Sequence, residues 1–309
     1  MSKIAFIFPG QGAQKVEMGL DFYQTFPEAR AIFDRADEIL GYPLTQIVFE
    51  GPQEKLTQTQ YSQVALYVTS MAILEVLKAR CPELEPAICA GLSLGEYTAL
   101  TASGRLPFEE CLPLVRLRGE AMSRACEASK GGMVAIIGLS AEQVEIGVKE
   151  LNLPNDLWAA NFNCPGQVVV SGTEKGIEAV LEAAKGWGAK RALPLQVHGA
   201  FHSGLMAPAR QELAKALEGV ALREGEGDLV MNVTGRAETT DVRALLAKQV
   251  TSPVRWEQSI REMDRQGVTL YIEIGPGKTL AGFNKRIGPA GETLSIEKVT
   301  DLEGVAICK

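Results

Sequence analysis

Apolar residues fall in two rhythms along this chain. Ile4 to Phe8 is an unbroken apolar run, the pattern of a parallel strand buried on both faces. Ala87-Ile88-Cys89-Ala90 is a second apolar run, and Thr269 to Ile274 reads as a buried strand. Between them the spacing lengthens to the helical period. Glu17 to Gly41 carries Phe22, Phe26, Ile32, Phe33, Ala36, Ile39 and Leu40 at helical intervals, and Pro27 opens a second helix there with Thr25 as its cap. Residues 44–60 form a polar connection with short helical pieces. Tyr61 to Arg80 predicts a long amphipathic helix bearing Val64, Leu66, Val68, Met71, Leu74 and Leu77, and Pro82 ends it. Pro107 to Cys126 predicts another, with Leu112, Leu114, Val115, Leu117 and Met122 on its apolar side and Arg116 and Arg118 within it. Strands alternating with helices predict an α/β chain, a parallel sheet covered on both faces.

The rhythm changes near Ser129-Lys130-Gly131-Gly132. Met133 to Gly138 reads as a strand, and Ser140-Ala141-Glu142-Gln143 is a capping box opening a helix to Leu151. Leu157 to Asn161 and Gln167 to Ser171 are strands joined through Cys164-Pro165-Gly166. Glu174 to Trp187 is a helix capped by Thr173, and Ala189 to Val197 a last strand. The order β-α-β-β-α-β is that of the ferredoxin-like unit. Residues 129–197 therefore read as a small domain inserted into a larger one formed by 1–128 and 198–309. Leu205 to Leu217 then reads as helix, Leu229 to Val233 as strand, and Asp241 to Val250 and Trp256 to Gln266 as helices.

Composition narrows the function classes. The 309 residues are 46% apolar and 22% charged, with a net charge of −7. An acidic balance argues against a general nucleic-acid surface. No apolar run approaches the ~18 residues of a membrane span. The start, Met1 to Gly10, is too short in apolar residues for a signal-peptide core. The six cysteines, Cys81, Cys89, Cys111, Cys126, Cys164 and Cys308, form no C-x-x-C pair and read as reduced residues of a cytoplasmic protein.

Gly91-Leu92-Ser93-Leu94-Gly95-Glu96-Tyr97 contains G-x-S-x-G after a predicted strand and before a helix that starts at Leu94. That is the setting of a nucleophile elbow, which exposes the serine Oγ above the carboxyl end of a strand. Two other glycine loops fail their motifs. Pro9-Gly10-Gln11-Gly12-Ala13-Gln14 has Lys15 where a dinucleotide fingerprint needs Gly, and Gly275-Pro276-Gly277-Lys278-Thr279 has Ile272 where a phosphate loop needs Gly. The first can instead present backbone N–H groups to a neighbouring site. A serine needs a base, and the chain holds two histidines, His198 and His202. Their i, i+4 spacing lacks the glutamate and the helix of a zinc motif, so no metal is expected. No acid between Ser93 and the histidines stands out as a third member. A backbone carbonyl can orient the imidazole in its place.

Phe8-Pro9-Gly10-Gln11-Gly12-Ala13-Gln14, Gly91 to Tyr97, Arg118-Gly119, Asn161-x-Asn163-x-Pro165-Gly166-Gln167, Gly199-Ala200-Phe201-His202-Ser203 and Ile274-Gly275-Pro276-Gly277 occur in this order. Together they resemble the malonyl-CoA:acyl carrier protein transacylase family over nearly the whole chain. The resemblance implies a hydrolase-like α/β core with a ferredoxin-like insertion and a ping-pong acyl transfer that needs no cofactor. Ser93 would be the nucleophile and His202 its base, oriented by the backbone carbonyl of Gln249. The N–H groups of Gln11 and Leu94 would hold the oxyanion, Arg118 would grip the malonyl carboxylate, and Phe201 and Met122 would line the acyl pocket. Malonyl-CoA and phosphopantetheinylated acyl carrier protein would be the partners, the protein acting as a monomer in the cytoplasm, without nucleic acid or membrane. Leu92 departs from the many relatives that have histidine before the nucleophile, which bears on acyl selectivity. Lys190, Arg191, Lys285 and Arg286 are candidates for docking the acidic carrier. A serine thioesterase or hydrolase and a non-catalytic acyl-carrier-binding domain are the competing readings. A hydrolase has no need of a carboxylate clamp at Arg118.

Overall fold

The computed structural model describes residues 3–306; Met1, Ser2 and Cys308 lie outside them. In chain order the elements are β1 (Ile4–Phe8), α1 (Leu20–Thr25), α2 (Pro27–Leu40), α3 (Leu44–Glu50), α4 (Gln53–Thr57), α5 (Thr59–Arg80), β2 (Ile88–Gly91), α6 (Gly95–Ala102) and α7 (Phe108–Ala128). There follow β3 (Gly131–Ile137), α8 (Ala141–Glu150), β4 (Leu157–Cys164), β5 (Gln167–Thr173), α9 (Glu174–Ala183) and β6 (Arg191–Pro194). The chain closes with α10 (Ala207–Glu218), β7 (Asp228–Met231), β8 (Arg236–Ala237), α11 (Val242–Gln249), α12 (Trp256–Arg265), β9 (Leu270–Ile274), α13 (Thr279–Ile287), β10 (Glu292–Ile296) and α14 (Asp301–Ala306).

One sheet has the order β10-β9-β1-β2-β7-β8, parallel except for the antiparallel edge pair β7–β8. Its central strands β1, β2 and β9 are buried at every residue; β1 and β2 carry no charged side chain, whereas β9 carries the buried Glu273. The second sheet, β4-β5-β3-β6, is antiparallel throughout, the ferredoxin-like order read from the sequence. Val254, in the segment between α11 and α12, pairs with the edge strand β4 of the antiparallel sheet. Val254 donates to the Ala160 carbonyl at 2.8 Å, and Phe162 donates to the Val254 carbonyl at 2.9 Å.

Several local expectations hold in detail. The Ser140–Gln143 capping box is present in both directions, and the Thr173 side chain caps α9. Others are corrected. Pro27 does occupy the first turn of α2, but Phe26, in extended conformation, is the cap residue and Thr25 is the last residue of α1. The helix after the elbow starts at Gly95, with Leu94 at its cap position. Helix α5 is not amphipathic: it is buried nearly all round from Thr59 to Leu77, because α2, α6 and α7 pack on it. Small residues such as Ala65, Thr69, Ser70 and Ala72 let those neighbours approach. Helix α9 ends at Ala183 rather than Trp187, and β6 is shorter than the stretch 189–197. The sequence pattern does not mark β8, β10 and α14. The glycine turn at 275–279 is a strand-to-helix turn, and the start of α13 is already occupied. The buried Glu273 accepts from Leu280 N–H at 2.9 Å and Ala281 N–H at 3.0 Å, which fills the place an anion would take.

The carboxyl ends of β1, β2 and β7 face one crevice, where an open parallel sheet binds its ligands. Among the described residues no helix is long and apolar enough to cross a membrane. Cys81, Cys89, Cys111, Cys126 and Cys164 are free and buried.

Candidate active site

Ser93 sits where β2 turns into α6. Its φ is +53°, the left-handed region, and His202 shares that conformation at +57°. Such angles cost a non-glycine residue roughly 1–2 kcal/mol, so surrounding contacts must hold them. The flanking glycines are required by close approach. A Cβ on Gly91 would lie 1.9 Å from the Gly95 carbonyl, and one on Gly95 would lie 2.2 Å from the Phe8 carbonyl oxygen. Gly10 is constrained likewise, since a Cβ there would meet the Leu92 oxygen at 2.4 Å, and this brings the Gln11 loop against the elbow.

Ser93 Oγ lies 2.8 Å from His202 Nε2. The other ring nitrogen, Nδ1, faces two backbone carbonyls, Gln249 at 3.0 Å and Ser252 at 3.2 Å. Both are acceptors, so Nδ1 carries the hydrogen and Nε2 is left free to take a proton from Ser93. Burial, followed by the Arg118 charge, lowers the His202 pKa to about 4, against the pull of the two carbonyls. The imidazole is therefore neutral at neutral pH. His198, by contrast, is exposed.

Arg118, on α7, is 1% exposed. Gly119 beside it lets α7 press on the start of α5, where a Cβ would lie 3.1 Å from the Gln60 Cα. The guanidinium thereby reaches Gln63 Oε1 at 2.5 Å, Gln249 Oε1 at 2.8 Å and Ser93 Oγ at 3.0 Å, and its carbon lies 5.4 Å from the centre of the Tyr97 ring. Every one of these partners is neutral. Among the described residues Arg118 forms no salt bridge, and its Nε is buried without a partner. A buried guanidinium without a carboxylate is a costly arrangement for structure alone.

Three residues that the sequence reading did not single out complete the site. Asn232, just after β7, accepts the Ser93 N–H at 2.7 Å and donates to the Gly91 carbonyl at 2.7 Å, so it clamps the elbow on both sides. Glu96, fully buried on α6, accepts from Asn232 N–H and from Gln249 Nε2, both at 2.5 Å. Burial pushes its carboxyl up to about 8, against the pull of those donors and of Arg118. Gln63 is the third, on α5. The Ser93 N–H is taken by Asn232, whereas the backbone N–H groups of Gln11 and Leu94 have no acceptor among the described residues.

A cavity of about 220 Å³ opens onto Ser93, His202 and Arg118. Gln11, Leu94, Met122 and Phe201 line it, as does Leu92. Its far wall comes from the antiparallel sheet and the irregular segment after β6: Met133, Asn161, Asn163, Val169, Leu195 and Val197. A larger open groove, about 920 Å³ around Arg105, Arg223 and Arg243, contains none of the reacting groups. The proposed docking residues Lys190, Arg191, Lys285 and Arg286 are exposed, and Arg286 ties α13 to the β4–β5 turn through the Pro165 carbonyl and Gln167.

The acyl transferase domain family matches residues 5–288. The chain is 44% identical over 306 residues to the malonyl CoA-acyl carrier protein transacylase of Bacillus subtilis, covering 98% of this chain and 96% of that one. It is 40% identical over 307 residues to the enzyme of the same name from Haemophilus influenzae, covering 99% and 98%. A solved malonyl CoA-acyl carrier protein transacylase from Clostridium perfringens superposes with a TM-score of 0.94 at 37% identity, covering 99% of this chain and 97% of that one. A malonyl-transacylase solved in complex with a type II polyketide acyl-carrier protein superposes equally well, at 0.94 and 37%, over the full length of both.

Proposed function

This chain belongs to the acyl transferase domain family, and from that membership we propose the course by which it moves a malonyl group between two thiols. It transfers malonyl from malonyl-CoA to the phosphopantetheine thiol of acyl carrier protein, supplying fatty acid synthesis. Ser93 Oγ attacks the thioester carbonyl as its proton passes to His202 Nε2. The oxyanion lies against the N–H groups of Gln11 and Leu94, each worth roughly 3 kcal/mol in the transition state. The C–S bond breaks, His202 returns the proton to the departing thiolate of CoA, and malonyl-Ser93 remains. The carrier thiol then gives its proton to His202 and attacks the ester. The C–O bond breaks and Ser93 recovers its proton.

The observation that carries the malonyl reading is the state of Arg118: buried, next to the nucleophile, and without a carboxylate partner. Its planar fork suits the free carboxylate of malonyl. Met122 and Phe201 give the acyl chain an apolar wall in a cavity of about 220 Å³, sized for a short acyl group. The division into a large unit, 1–128 with 198–309, and an inserted unit, 129–197, belongs to this reading, supported by a separate sheet lying wholly between Gly131 and Pro194. So do a monomeric state, a cytoplasmic location, and an approach of the acidic carrier over Lys190, Arg191, Lys285 and Arg286.

Mixing the protein with malonyl-CoA and recording intact mass tests this directly. The expected result is a malonyl adduct on Ser93 that disappears when phosphopantetheinylated carrier protein is added and reappears on the carrier. Release of free malonate in place of transfer would make the protein a hydrolase. No adduct at all would make it a carrier-binding domain.

A further inference from the structure

We propose that Glu96 is a positioning residue that fixes the polarity of the Gln249 side-chain amide, and through it couples the turn carrying Ser93 to the guanidinium of Arg118. The inference rests on the malonyl-transfer reading and adds to it a residue that touches no reacting atom.

The argument is a count of donors and acceptors. Glu96 acts in its ionised form, which only accepts and prevails above its raised pKa of about 8, whereas a glutamine amide has one accepting and one donating end. Both oxygens of Glu96 face donors, the Asn232 N–H on one side and Gln249 Nε2 on the other. Gln249 Nε2 also donates to the Ser93 carbonyl at 2.8 Å. Its amide oxygen is thereby turned toward Arg118 Nη2, at 2.8 Å, and the same Nη2 donates to Ser93 Oγ at 3.0 Å. A flipped amide would set nitrogen against the guanidinium, donor to donor, and oxygen against both Glu96 and the Ser93 carbonyl, acceptor to acceptor. The chain of bonds therefore runs in one sense only, and Glu96 sets that sense because the Asn232 backbone donor cannot flip. It does so without touching Arg118, leaving the guanidinium free of a direct carboxylate that would compete with substrate.

Glu96→Gln keeps size and shape but reverses one end. Its oxygen must go to the Asn232 N–H, its nitrogen then faces Gln249, and the Gln249 amide turns its own nitrogen to Arg118. The mismatch is delivered to the carboxylate clamp, two residues from the substitution. Glu96→Asp keeps a group that only accepts and so keeps the sense of the chain.

The test measures the rate of Ser93 acylation by malonyl-CoA and by acetyl-CoA, by quenched intact mass, in the full-length protein above about pH 8, where Glu96 is ionised. Variants are E96Q, E96D, Q249M and the double variant E96Q/Q249M. In E96Q malonyl acylation is expected to fall about 10- to 100-fold, the range for one buried hydrogen bond left mismatched, and the malonyl-to-acetyl ratio to fall about tenfold. E96D is expected to keep the wild-type ratio while losing rate. The double variant should be no worse than Q249M alone, because the path is already cut. Equal losses for both acyl groups in E96Q, or additive losses in the double variant, would overturn the inference. If E96Q does not fold, E96D decides, since a folded E96D that has lost the malonyl preference would overturn it as well. Wild-type protein that takes no malonyl would remove the functional reading and this inference with it. Malonylated wild type with an unchanged ratio in E96Q removes this inference alone.

Discussion

Arg118 and Ser93 are in direct contact: Nη2 of the guanidinium donates to Oγ at 3.0 Å, while the same Oγ lies 2.8 Å from His202 Nε2. The hydroxyl accepts from the arginine, so its own hydrogen is directed to the imidazole. A cation held on that oxygen also lowers the cost of negative charge there. The group that would receive the substrate carboxylate thus rests on the group that would attack the carbonyl, and the two ends of a malonyl unit are measured against one another.

Removing the hydroxyl should end the reaction. Ser93→Ala is expected to show no covalent adduct with malonyl-CoA and a loss of transfer of about 10⁴-fold or more, as for other nucleophile deletions. Intact mass and a carrier-loading assay check it. An adduct that persists would place the nucleophile elsewhere.

Arg118→Ala should cost malonyl transfer as much as ~10⁴-fold and leave acetyl transfer far less affected, because only the carboxylate loses its partner. Arg118→Lys should recover little, since an ammonium lacks the planar fork. Competition between the two acyl-CoA substrates reads out the ratio. Parallel losses would argue that Arg118 only supports the fold.

The pH dependence follows from the lowered pKa of His202, about 4. The free base is present above that value, so kcat/KM should hold from neutral pH well into the acid range and fall only near it. Arg118→Gln removes a charge that depresses the imidazole, and the acid limb should then move to higher pH. A limb that stays in place would mean that burial alone sets the value.

The same shift has a stability consequence. Between the unfolded value of 6.5 and the folded value of about 4, the unfolded chain takes up a proton at His202 that the folded protein refuses. That contribution to stability is complete above 6.5 and is lost as pH falls through the window. His202→Gln should flatten the loss, measured as the change in unfolding free energy on going from about pH 7 to about pH 5. An undiminished loss in the variant would assign it to other groups.

Gly91→Ala and Gly95→Ala should each destabilise the protein by about 4 kcal/mol or more, because the added carbon meets backbone rather than a movable side chain. Thermal unfolding checks this. Gly282→Ala is the contrast: it lies in α13 without a positive φ and has nothing within 4 Å of the added carbon.

The fold was legible wherever burial was uniform or strictly periodic. The runs of β1, β2 and β9 and the capping box at Ser140 announce themselves. The edge strands β8 and β10 are half-polar and short, so no period marks them. Helix α5 reads as amphipathic by period alone, because Ser, Thr and Gln at its remaining positions look like a solvated face until neighbours cover them. Ser93 and His202 could be singled out from the elbow and from the scarcity of histidine. Arg118, Gln249 and Gln11 needed the family resemblance. Glu96, Asn232 and Gln63 were missed, since a carboxylate on a helix or an amide after a strand usually faces water. Their roles are set by the tertiary meeting of α5, α6, α7, β7 and α11, which no local pattern encodes.

The chamber around the acyl unit has walls of different provenance. Ser93 stands at the end of β2 in the parallel sheet, while Met133, Asn161 and Val169 lean in from the antiparallel one. Substitutions at Met133 or Val169 reshape the room for the acyl unit while lying outside the hydrogen bonds that set Ser93 against His202. Choice of what is carried and capacity to carry it are therefore separately adjustable in this architecture.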